Sequence, residues 1–381
     1  MKKKDLTKNA IELLKNLIET PSFSSEEDKT ASLIEKWFQE YKIPCVRTNN
    51  NVWATNLHFN KAKPTLLLNS HHDTVKPNNG YTKDPFEAIE EDGKLYGLGS
   101  NDAGGSLVSL IATFTQFYKK KNLNYNLVLV ASAEEESSGK NGLNSMLEFI
   151  PEIDVAIVGE PTLMNLAIAE KGLVVFDAKV NGTPGHAAHP NGNNAIYNTV
   201  EVLKWFQEYK FEKKSPVLGD VKMTVTQINA GKHHNAVPAE VDLVIDVRVN
   251  DRYSNDEIAK ILKKKSPCST IEARSLRLNS SSISIGHPLV EAGIELGRET
   301  YGSPTLSDQA VLSCPSLKLG PGDSTRSHTA DEFISGMTVG LFNYNASDLS
   351  SDKASHQGWN LKFINGSRTK YECLVALANP A

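Results

Sequence analysis

The sequence has 381 residues, 39% hydrophobic and 23% charged, which is enough for a large folded core or two domains and excludes a mainly disordered chain. Its 41 basic and 45 acidic residues give a formal charge of -4, so no basic excess indicates a nucleic-acid or anionic-membrane partner. Without an apolar run of roughly 20 residues, a signal-peptide pattern after Met1 or closely spaced cysteines, we expect a cytoplasmic protein that binds a small molecule.

Two amphipathic helices are predicted at the start of the chain. Apolar side chains recur at helical spacing over residues 6–18, and this helix should end before Thr20, because Thr20 precedes a proline. The pattern Ser24-x-x-Glu27 resembles a capping box, so the second helix is expected to begin near Ser24 and to bury apolar side chains over residues 31–41. Both helices are interpreted as scaffold.

Short apolar runs then alternate with helical patterns. The runs cover residues 65–69, 127–131 and 155–158, and a helix is predicted over residues 105–118. Continuous apolar strands that alternate with helices indicate an α/β fold with a mainly parallel sheet and helices on both faces. Ligands bind such sheets beyond the carboxyl ends of the strands, so the chemistry is expected there.

From about residue 172 the pattern becomes that of a second domain. Its predicted strands and helices follow the order β-α-β-β-α-β, over residues 173–180, 194–209, 221–228, 240–249, 255–264 and 270–276. This order is the split βαβ pattern of a ferredoxin-like α+β domain.

The α/β pattern resumes after this domain, which therefore looks like an insertion. We predict a catalytic domain in two parts, residues 1–171 and 279–381, on either side of a lid or dimerisation domain over residues 172–278. Residues 336–381 are rich in Gly, Asn and Ser, and we expect them to form an atypical, partly irregular tail.

A histidine and an acid follow the first predicted strand of the sheet. This strand runs into Ser70-His71-His72-Asp73, where strand alternation places His71 and Asp73 on one side. Asp73 is therefore placed to orient the His71 imidazole, as carboxylates commonly do for metal-bound histidines. Taken alone, the triplet favours a surface or capping role over a metal ligand.

A glycine-rich turn over residues 96–105 leads into the predicted helix. It departs from the nucleotide-binding pattern G-x-G-x-x-G because Asp102 takes the third glycine position, where its charge would repel a pyrophosphate. A carboxylate there would attract a metal ion, but Asp102 could equally cap the helix. The turn alone does not decide between these two roles.

More carboxylates follow the next two strands. Glu134-Glu135-Glu136 and Glu160 stand at the predicted strand ends, although an isolated acidic triplet is more often a surface loop. Adjacent carboxylates repel one another unless a cation neutralises them. Together with His71 and Asp102, they form a donor set that suits zinc or a related divalent ion in a catalytic site. His328 would complete a two-metal site.

These motifs resemble, in order, those of the dinuclear-zinc amidohydrolase superfamily, which includes acetylornithine deacetylase, succinyl-diaminopimelate desuccinylase, aminoacylase and carboxypeptidase G. The resemblance is greatest to the acetylornithine deacetylase subgroup. It extends from about residue 5 to residue 334 and rests on residues 70–75, 97–102, 134–136, 158–162 and 326–328.

The resemblance implies a pair of divalent metal ions, of which zinc is the first expectation and cobalt or manganese the alternatives. His71 and Glu160 would bind one ion, Glu136 and His328 the other, and Asp102 would bridge them. The peptide bond after Asp102 would be cis.

The resemblance also implies which glutamate acts as the general base. The family usually has Asp-Glu-Glu where this chain has three glutamates, so the base could be Glu134 or Glu135. We choose Glu135, with Glu136 as the ligand and Asp73 as the residue that orients His71, because Gly142 then falls at the expected spacing.

Substrate-binding residues are implied in the inserted domain and near its end. His186 would polarise the substrate carbonyl in the site of a partner subunit, and Asn235 would contact the substrate. Arg248 would hold a substrate carboxylate, although a surface ion pair is an equal alternative, and Arg326 is a second candidate for this role. A homodimer through the inserted domain follows from the same resemblance.

The predicted function is metal-dependent hydrolysis of the amide bond of an N-acyl amino acid. The first candidate substrate is N-acetylornithine, with N-acetylcitrulline or N-succinylornithine as variants, in arginine biosynthesis. A succinyl-diaminopimelate desuccinylase, an aminoacylase or a dipeptidase with the same site is the alternative. The non-enzymatic alternative is a catalytically silent, metal-binding dimeric scaffold.

Overall fold

The computed structural model describes residues 3–335, so the predicted tail over residues 336–381 lies outside the described residues. The chain forms two compact units. Within the described residues, the first comprises residues 3–168, Ile283–Tyr301 and residues 307–335, and the second comprises Ala169–Ser282 and Gly302–Leu306. Between residues 3 and 335, no helix has the length and apolar character needed to cross a membrane.

Helices and strands are numbered in chain order. The α-helices are α1 (Lys3–Ile18), α2 (Asp28–Glu40), α3 (Gly105–Phe117), α4 (Ala195–Glu208), α5 (Asn255–Lys265) and α6 (Pro288–Glu295). The strands are β1 (Val46–Thr48), β2 (Asn51–Thr55), β3 (Thr65–His71), β4 (Ile89–Glu91), β5 (Lys94–Tyr96), β6 (Asn126–Ser132), β7 (Val155–Val158), β8 (Leu166–Glu170), β9 (Gly172–Asn181), β10 (Gly185–His186), β11 (Lys222–Ala230), β12 (Ala236–Val237), β13 (Glu240–Val249), β14 (Thr270–Ala273), β15 (Ser281–Ser282), β16 (Thr300–Ser303), β17 (Ser316–Lys318) and β18 (Phe333–Ser335).

The first unit is built on a mainly parallel sheet. Its strands lie in the order β1-β2-β6-β3-β7-β17-β8. Strand β3 pairs in parallel with β6 and β7, and β17 pairs in parallel with β7. A separate antiparallel sheet has the order β18-β5-β4. The predicted α/β class is therefore confirmed, and the carboxyl ends of β3, β6 and β7 lie side by side.

The central strands are apolar on both faces because both faces are covered. All seven residues of β3 are buried. Leu66 and Leu68 pack in a cluster with apolar side chains of α1, α2 and α3, whereas Leu67 packs on the opposite face with the short 3₁₀ helix Leu143–Met146. Successive strand residues point to opposite faces, so one strand supplies both layers of the core. Long helices cover the first face, and short helical turns cover the second.

The start of α2 differs from its prediction. The helix begins at Asp28, and no side chain caps its amino end. Ser24 does not form the expected capping box, because its hydroxyl donates instead to Asp73 Oδ2, at 2.7 Å. The Glu27 carboxylate accepts the backbone N–H groups of Ser25 and Glu134. Both side chains are therefore used by long-range contacts rather than by the helix.

The second unit has the predicted ferredoxin-like pattern. Its main elements follow the order β9-α4-β11-β13-α5-β14, with the short strands β10 and β12 added. The antiparallel sheet has the order β11-β13-β9-β14. Alternate residues of β13 are buried, and they pack with β9, α4 and α5 in one apolar cluster. The short segment Gly302–Leu306 belongs to this unit, and no sequence pattern had indicated that.

Candidate metal centre

The site begins at the end of β3, where His71 is the last strand residue and is buried. Its Nδ1 atom lies 3.0 Å from the backbone oxygen of Asp73 and 3.4 Å from Asp73 Oδ1. A carbonyl oxygen only accepts hydrogen bonds, so Nδ1 carries the proton and donates. The other ring nitrogen, Nε2, is left facing the acidic residues at the ends of the neighbouring strands.

Three carboxylates surround His71 Nε2. Asp102 Oδ1 lies 3.4 Å away, Glu160 Oε1 lies 3.9 Å away and Glu135 Oε2 lies 4.0 Å away. Asp102 lies in the turn before α3, Glu135 follows β6 and Glu160 follows β7. Parallel strands bring their carboxyl ends to one edge, which explains why residues distant in sequence meet here.

Asp102 faces a second histidine with its other oxygen. Asp102 Oδ2 lies 3.9 Å from His328 Nε2, and that nitrogen lies 2.8 Å from Glu136 Oε2. The side chain of His328 is 55% exposed, so this part of the site is open to solvent. One aspartate thus presents one oxygen to each imidazole. The peptide bond between Asp102 and Ala103 is cis, as the resemblance implied.

The donor set fits divalent metal ions. His71 Nε2 and Glu160 Oε1 are buried and have no hydrogen-bond partner among the described residues. Donor atoms of His71, Asp102 and Glu136 all lie within 4.8 Å of one another, a spacing that could hold a metal ion. Carboxylate and imidazole donors suit zinc and related divalent ions.

The pKa values at the site indicate an excess of negative charge within the described residues. Burial, reinforced by the charge of Asp102, raises the pKa of Glu160 to about 8. Burial and the charges of Glu160 and Asp308 raise the pKa of Glu135 well above its ordinary value. The hydrogen bond to Glu136 raises the pKa of His328 to about 9. A bound cation would relieve this repulsion.

The three consecutive glutamates have different surroundings. The Glu134 carboxylate accepts hydrogen bonds from Ser25 Oγ at 2.9 Å and from Asn141 N and Nδ2 at 3.0 Å. These bonds link the Glu134 carboxylate to its own loop and to the segment before α2. Glu135 faces His71, and Glu136 faces His328.

Asp73 connects the histidine to the glutamate loop. Its Oδ1 accepts the Glu135 N–H at 3.0 Å, and its Oδ2 accepts the Glu136 N–H at 3.1 Å. The Ser24 hydroxyl also donates to Oδ2. Asp73 therefore orients the Glu135–Glu136 backbone as well as His71, whereas only its contact with His71 was predicted.

Two buried acids near the site were missed from the sequence. Asp308 Oδ2 accepts from Ser132 Oγ at 2.5 Å, at the end of β6, and burial raises the pKa of Asp308 to about 6. Glu332 accepts backbone N–H groups of the Asp102 turn. Neither acid follows a predicted strand. In the sequence, their burial was indicated only by small or apolar neighbours, in Ser307-Asp308-Gln309-Ala310 and Glu332-Phe333-Ile334.

The second unit places two of its predicted residues next to each other. His186 in β10 pairs with Ala236 in β12, and the Ala187 N–H donates to the Asn235 carbonyl at 2.9 Å. His186 Nδ1 accepts the Ala188 N–H at 3.1 Å. This hydrogen bond fixes the ring through Nδ1, so that the Nε2 atom is not used in it.

The two predicted arginines already have contacts. The Arg248 guanidinium makes two hydrogen bonds to the Asp246 carboxylate, at 2.9 and 3.0 Å. The Arg326 guanidinium carbon lies 4.2 Å from the centre of the Phe333 ring. Arg248 thus shows the ion pair that was its alternative, and Arg326 lies two residues before His328.

The chain matches known proteins in both sequence and structure. The family model described as Peptidase family M20/M25/M40 matches residues 67–341. A succinyl-diaminopimelate desuccinylase of Rickettsia felis is 27% identical, over 66% of this chain and 71% of the relative. An acetylornithine deacetylase of Proteus mirabilis is 28% identical, over 85% of this chain and 91% of the relative. The crystal structure of Bacillus subtilis YXEP, described as a dinuclear metal binding peptidase from the M20 family, has a TM-score of 0.67 at 14% identity and covers 88% of this chain and 95% of that one.

Proposed function

The chain belongs to peptidase family M20/M25/M40, a family of metal-dependent hydrolases, and we propose that it hydrolyses the amide bond of an N-acyl amino acid. The proposal rests on one observation, which is that donor atoms of His71, Asp102 and Glu136 lie close enough to bind a common metal ion. The His71 Nε2 atom is buried there and has no hydrogen-bond partner among the described residues. The fold and this donor set favour hydrolysis over a catalytically silent scaffold, because a further acid suited to proton transfer, Glu135, lies 4.0 Å from His71 beside the proposed ligands.

We propose N-acetylornithine as the first substrate to test. The acetylornithine deacetylase of Proteus mirabilis aligns with more of this chain than the Rickettsia felis desuccinylase does, 85% against 66%. The reaction would then belong to arginine biosynthesis in the cytoplasm. N-acetylcitrulline and N-succinylornithine contain the same type of amide bond, and both are included in the substrate panel described below.

The residues proposed to hold the cofactor form two groups that share Asp102. His71 and Glu160 would bind one ion, and Glu136 and His328 the other, with zinc as the first expectation and cobalt or manganese as alternatives. When bound, such ions polarise a carbonyl group and lower the pKa of water towards neutrality. Asp102 supports this division because its two oxygens face different histidines.

Glu135 is proposed to move the proton. Its raised pKa suits a group that accepts a proton from the attacking water and then delivers it to the departing amine. The hydrogen bond from the Glu135 N–H to Asp73 holds the backbone in place, and the carboxylate faces His71. Asp73 would orient both His71 and this loop.

Four further residues are proposed to bind the substrate. Because His186 Nδ1 accepts a backbone N–H, the neutral ring carries its proton on Nε2, which can donate to a substrate oxygen. Asn235, adjacent in the same two-stranded sheet, offers an amide. Arg326 and Arg248 each offer a planar pair of donors for the carboxylate of an amino acid.

A homodimer through the second unit is proposed for the action of His186 in a partner's site. Strand β11 is at the edge of its sheet, and Ile228 on it is 54% exposed. Tyr197 and Val200 on α4 are 74% and 48% exposed. Exposed apolar residues beside an unpaired edge are suited to contact with a second copy.

The dimer is tested by light scattering after size-exclusion chromatography. A Val200→Arg, Ile228→Arg double variant should elute as a monomer. A Val46→Arg variant, changed at a 49% exposed apolar residue of the first unit, is the control and should keep the dimer. A monomeric wild-type protein would contradict the proposal.

The substrate proposal is tested by steady-state assays of the metal-loaded protein. The panel contains N-acetylornithine, N-acetylcitrulline, N-succinylornithine, N-succinyl-diaminopimelate and dipeptides, each with added zinc, cobalt or manganese. The highest kcat/KM is expected for N-acetylornithine. A preference for dipeptides or for the desuccinylase substrate would overturn the substrate, and bound metal without any hydrolysis would favour the scaffold.

A further inference from the structure

Glu332 makes a concentrated set of contacts with one turn. It is 2% exposed. Its Oε1 atom accepts the N–H groups of Asn101 and Asp102, both at 2.9 Å, and its Oε2 atom accepts the Gly99 N–H at 3.1 Å. Its backbone carbonyl also accepts the Gly97 N–H at 3.0 Å. One buried residue thus holds four N–H groups of the segment that carries Asp102.

This turn does not have the backbone geometry of a regular helix. It precedes α3, and Asp102 and Ala103 have non-helical backbone angles. Gly99 lies at a φ of +77°, and a Cβ atom there would meet Thr74 Cγ2 at 2.6 Å. The backbone N–H groups of such a turn must find acceptors, because unpaired buried N–H groups are costly. Glu332 supplies those acceptors from a distant part of the chain.

A buried carboxylate next to Asp102 destabilises the fold unless its hydrogen bonds serve a specific function. Glu332 is buried next to the negative charge of Asp102, and burying like charges together costs stability. Hydrogen bonds to a charged acceptor are shorter and stronger than those to a neutral one. The gain is a more rigid backbone at Asp102, the residue that faces both His71 and His328.

We infer that Glu332 is a positioning residue for metal binding, which fixes the Asp102 backbone so that its two carboxylate oxygens face two metal positions. This inference rests on the two-metal site proposed above. Glu332 itself touches neither substrate nor ion in this scheme.

The neighbouring residue Asp331 provides a matched control. Its carboxylate also accepts three hydrogen bonds, from Thr82 N and Lys83 N at 2.9 Å and from Thr82 Oγ1 at 2.6 Å. It therefore anchors the same segment with the same number of bonds, but to a loop without a proposed ligand. An effect of Glu332 that Asp331 does not share must come from the Asp102 turn.

The experiment titrates metal-free full-length protein with Co²⁺, without substrate. Binding is followed by visible absorption and by competition with a chelating dye for wild type, Glu332→Gln, Glu332→Asp and Asp331→Asn. We expect Glu332→Gln and Glu332→Asp to weaken Co²⁺ binding by about 10–100-fold, the usual effect of losing a residue that orients a metal ligand. Asp331→Asn should stay within about 3-fold of wild type, and circular dichroism should show folded protein in each case.

The outcomes separate this inference from the proposed function. Wild-type affinity in both Glu332 variants, or an equal loss in Asp331→Asn, would overturn the positioning role. Failure of both Glu332 variants to fold would also overturn it, by showing a purely structural residue. If wild type binds Co²⁺ but hydrolyses nothing in the panel, only the substrate proposal fails. If wild type binds no Co²⁺, both fail.

Discussion

Glu134 and Glu135 are adjacent in the chain, but their carboxylates point into different surroundings. Glu134 is held by hydrogen bonds from Asn141 of its own loop and from Ser25, which precedes α2. Glu135 Oε2 lies 4.0 Å from His71 Nε2. The same separation of roles extends to the wider site, where some acids face the histidines and others hold the loops.

Glu135→Gln is predicted to lower kcat by about 10²–10⁴-fold, because it removes the group proposed to transfer the proton. Metal content, measured by mass spectrometry of the purified protein, should not change. Glu134→Gln is the matched control. It should lower thermal stability, since it breaks buried hydrogen bonds worth about 1–3 kcal/mol, but should retain most of kcat. A larger loss of kcat in Glu134→Gln would reverse the assignment.

His328→Ala should reduce the bound metal to roughly one ion per chain. The variant removes the imidazole that contacts Glu136, while His71 and Glu160 are unchanged. His58→Ala, at an exposed histidine, is the control and should bind as much metal as wild type. Metal analysis after dialysis against buffered zinc gives the ratio, and an unchanged ratio in His328→Ala would exclude it as a ligand.

Asp73→Asn is predicted to impair both metal binding and turnover. The amide still fits, but it places a donor towards groups that themselves donate to Asp73, namely the Glu135 and Glu136 N–H groups and the Ser24 hydroxyl. We expect a loss of about 10–100-fold in metal affinity. Ser24→Ala, which removes one of these bonds, should have a smaller effect. Equal effects of the two variants would argue against Asp73 as the connecting residue.

The stability of the metal-free protein should fall as the pH rises from about 5 to 8. Burial, with the charge of Asp102, raises the pKa of Glu160 from 4.5 to about 8, so the folded state retains a proton that the unfolded state has lost. That contribution is complete below pH 4.5 and is lost as the pH rises through 8. The free energy of unfolding should decrease by up to about 1.4 kcal/mol per pH unit for this proton.

Urea unfolding at several pH values, with EDTA or with saturating zinc, tests this dependence. Zinc should reverse the slope, because metal binding displaces protons. Glu160→Gln should flatten the slope in EDTA. A metal-free protein that becomes more stable over this range would show that the buried Glu160 carboxyl does not set the pH dependence.

Arg248→Ala should raise KM by about tenfold or more with little change in kcat, because Arg248 is proposed to bind the substrate carboxylate equally in the ground and transition states. Arg274→Ala is a matched control within the same unit, because Arg274 makes a similar two-bond ion pair with Asp177. Exposed ion pairs contribute little, so the control should leave KM unchanged. Equal KM values for both variants would identify Arg248 as a surface ion pair.

The fold class and the strand ends that carry chemistry were predictable from sequence patterns alone. Continuous apolar runs predict buried parallel strands, and the residues that follow a strand end are read directly from the chain. His71 and Glu160 could therefore be selected from the sequence, whereas the turn that carries Asp102 left a metal ligand and a helix cap as equal alternatives. The cis peptide and the choice of Glu135 required the family resemblance, because no local pattern distinguishes three consecutive glutamates.

The side chains that hold the site in place could be identified only in the folded chain. The hydrogen bond from the Asp102 N–H to Glu332 joins residues 230 positions apart, and Ser24 reaches Asp73 across 49 positions. Hydrogen bonds between residues so far apart produce no periodic pattern in the sequence. The partner of each residue depends on how distant segments pack in the folded chain, and not on the residues adjacent to it in sequence. Ser24 and Glu27 show this directly, since their local pattern predicts a helix cap and the fold uses both side chains elsewhere.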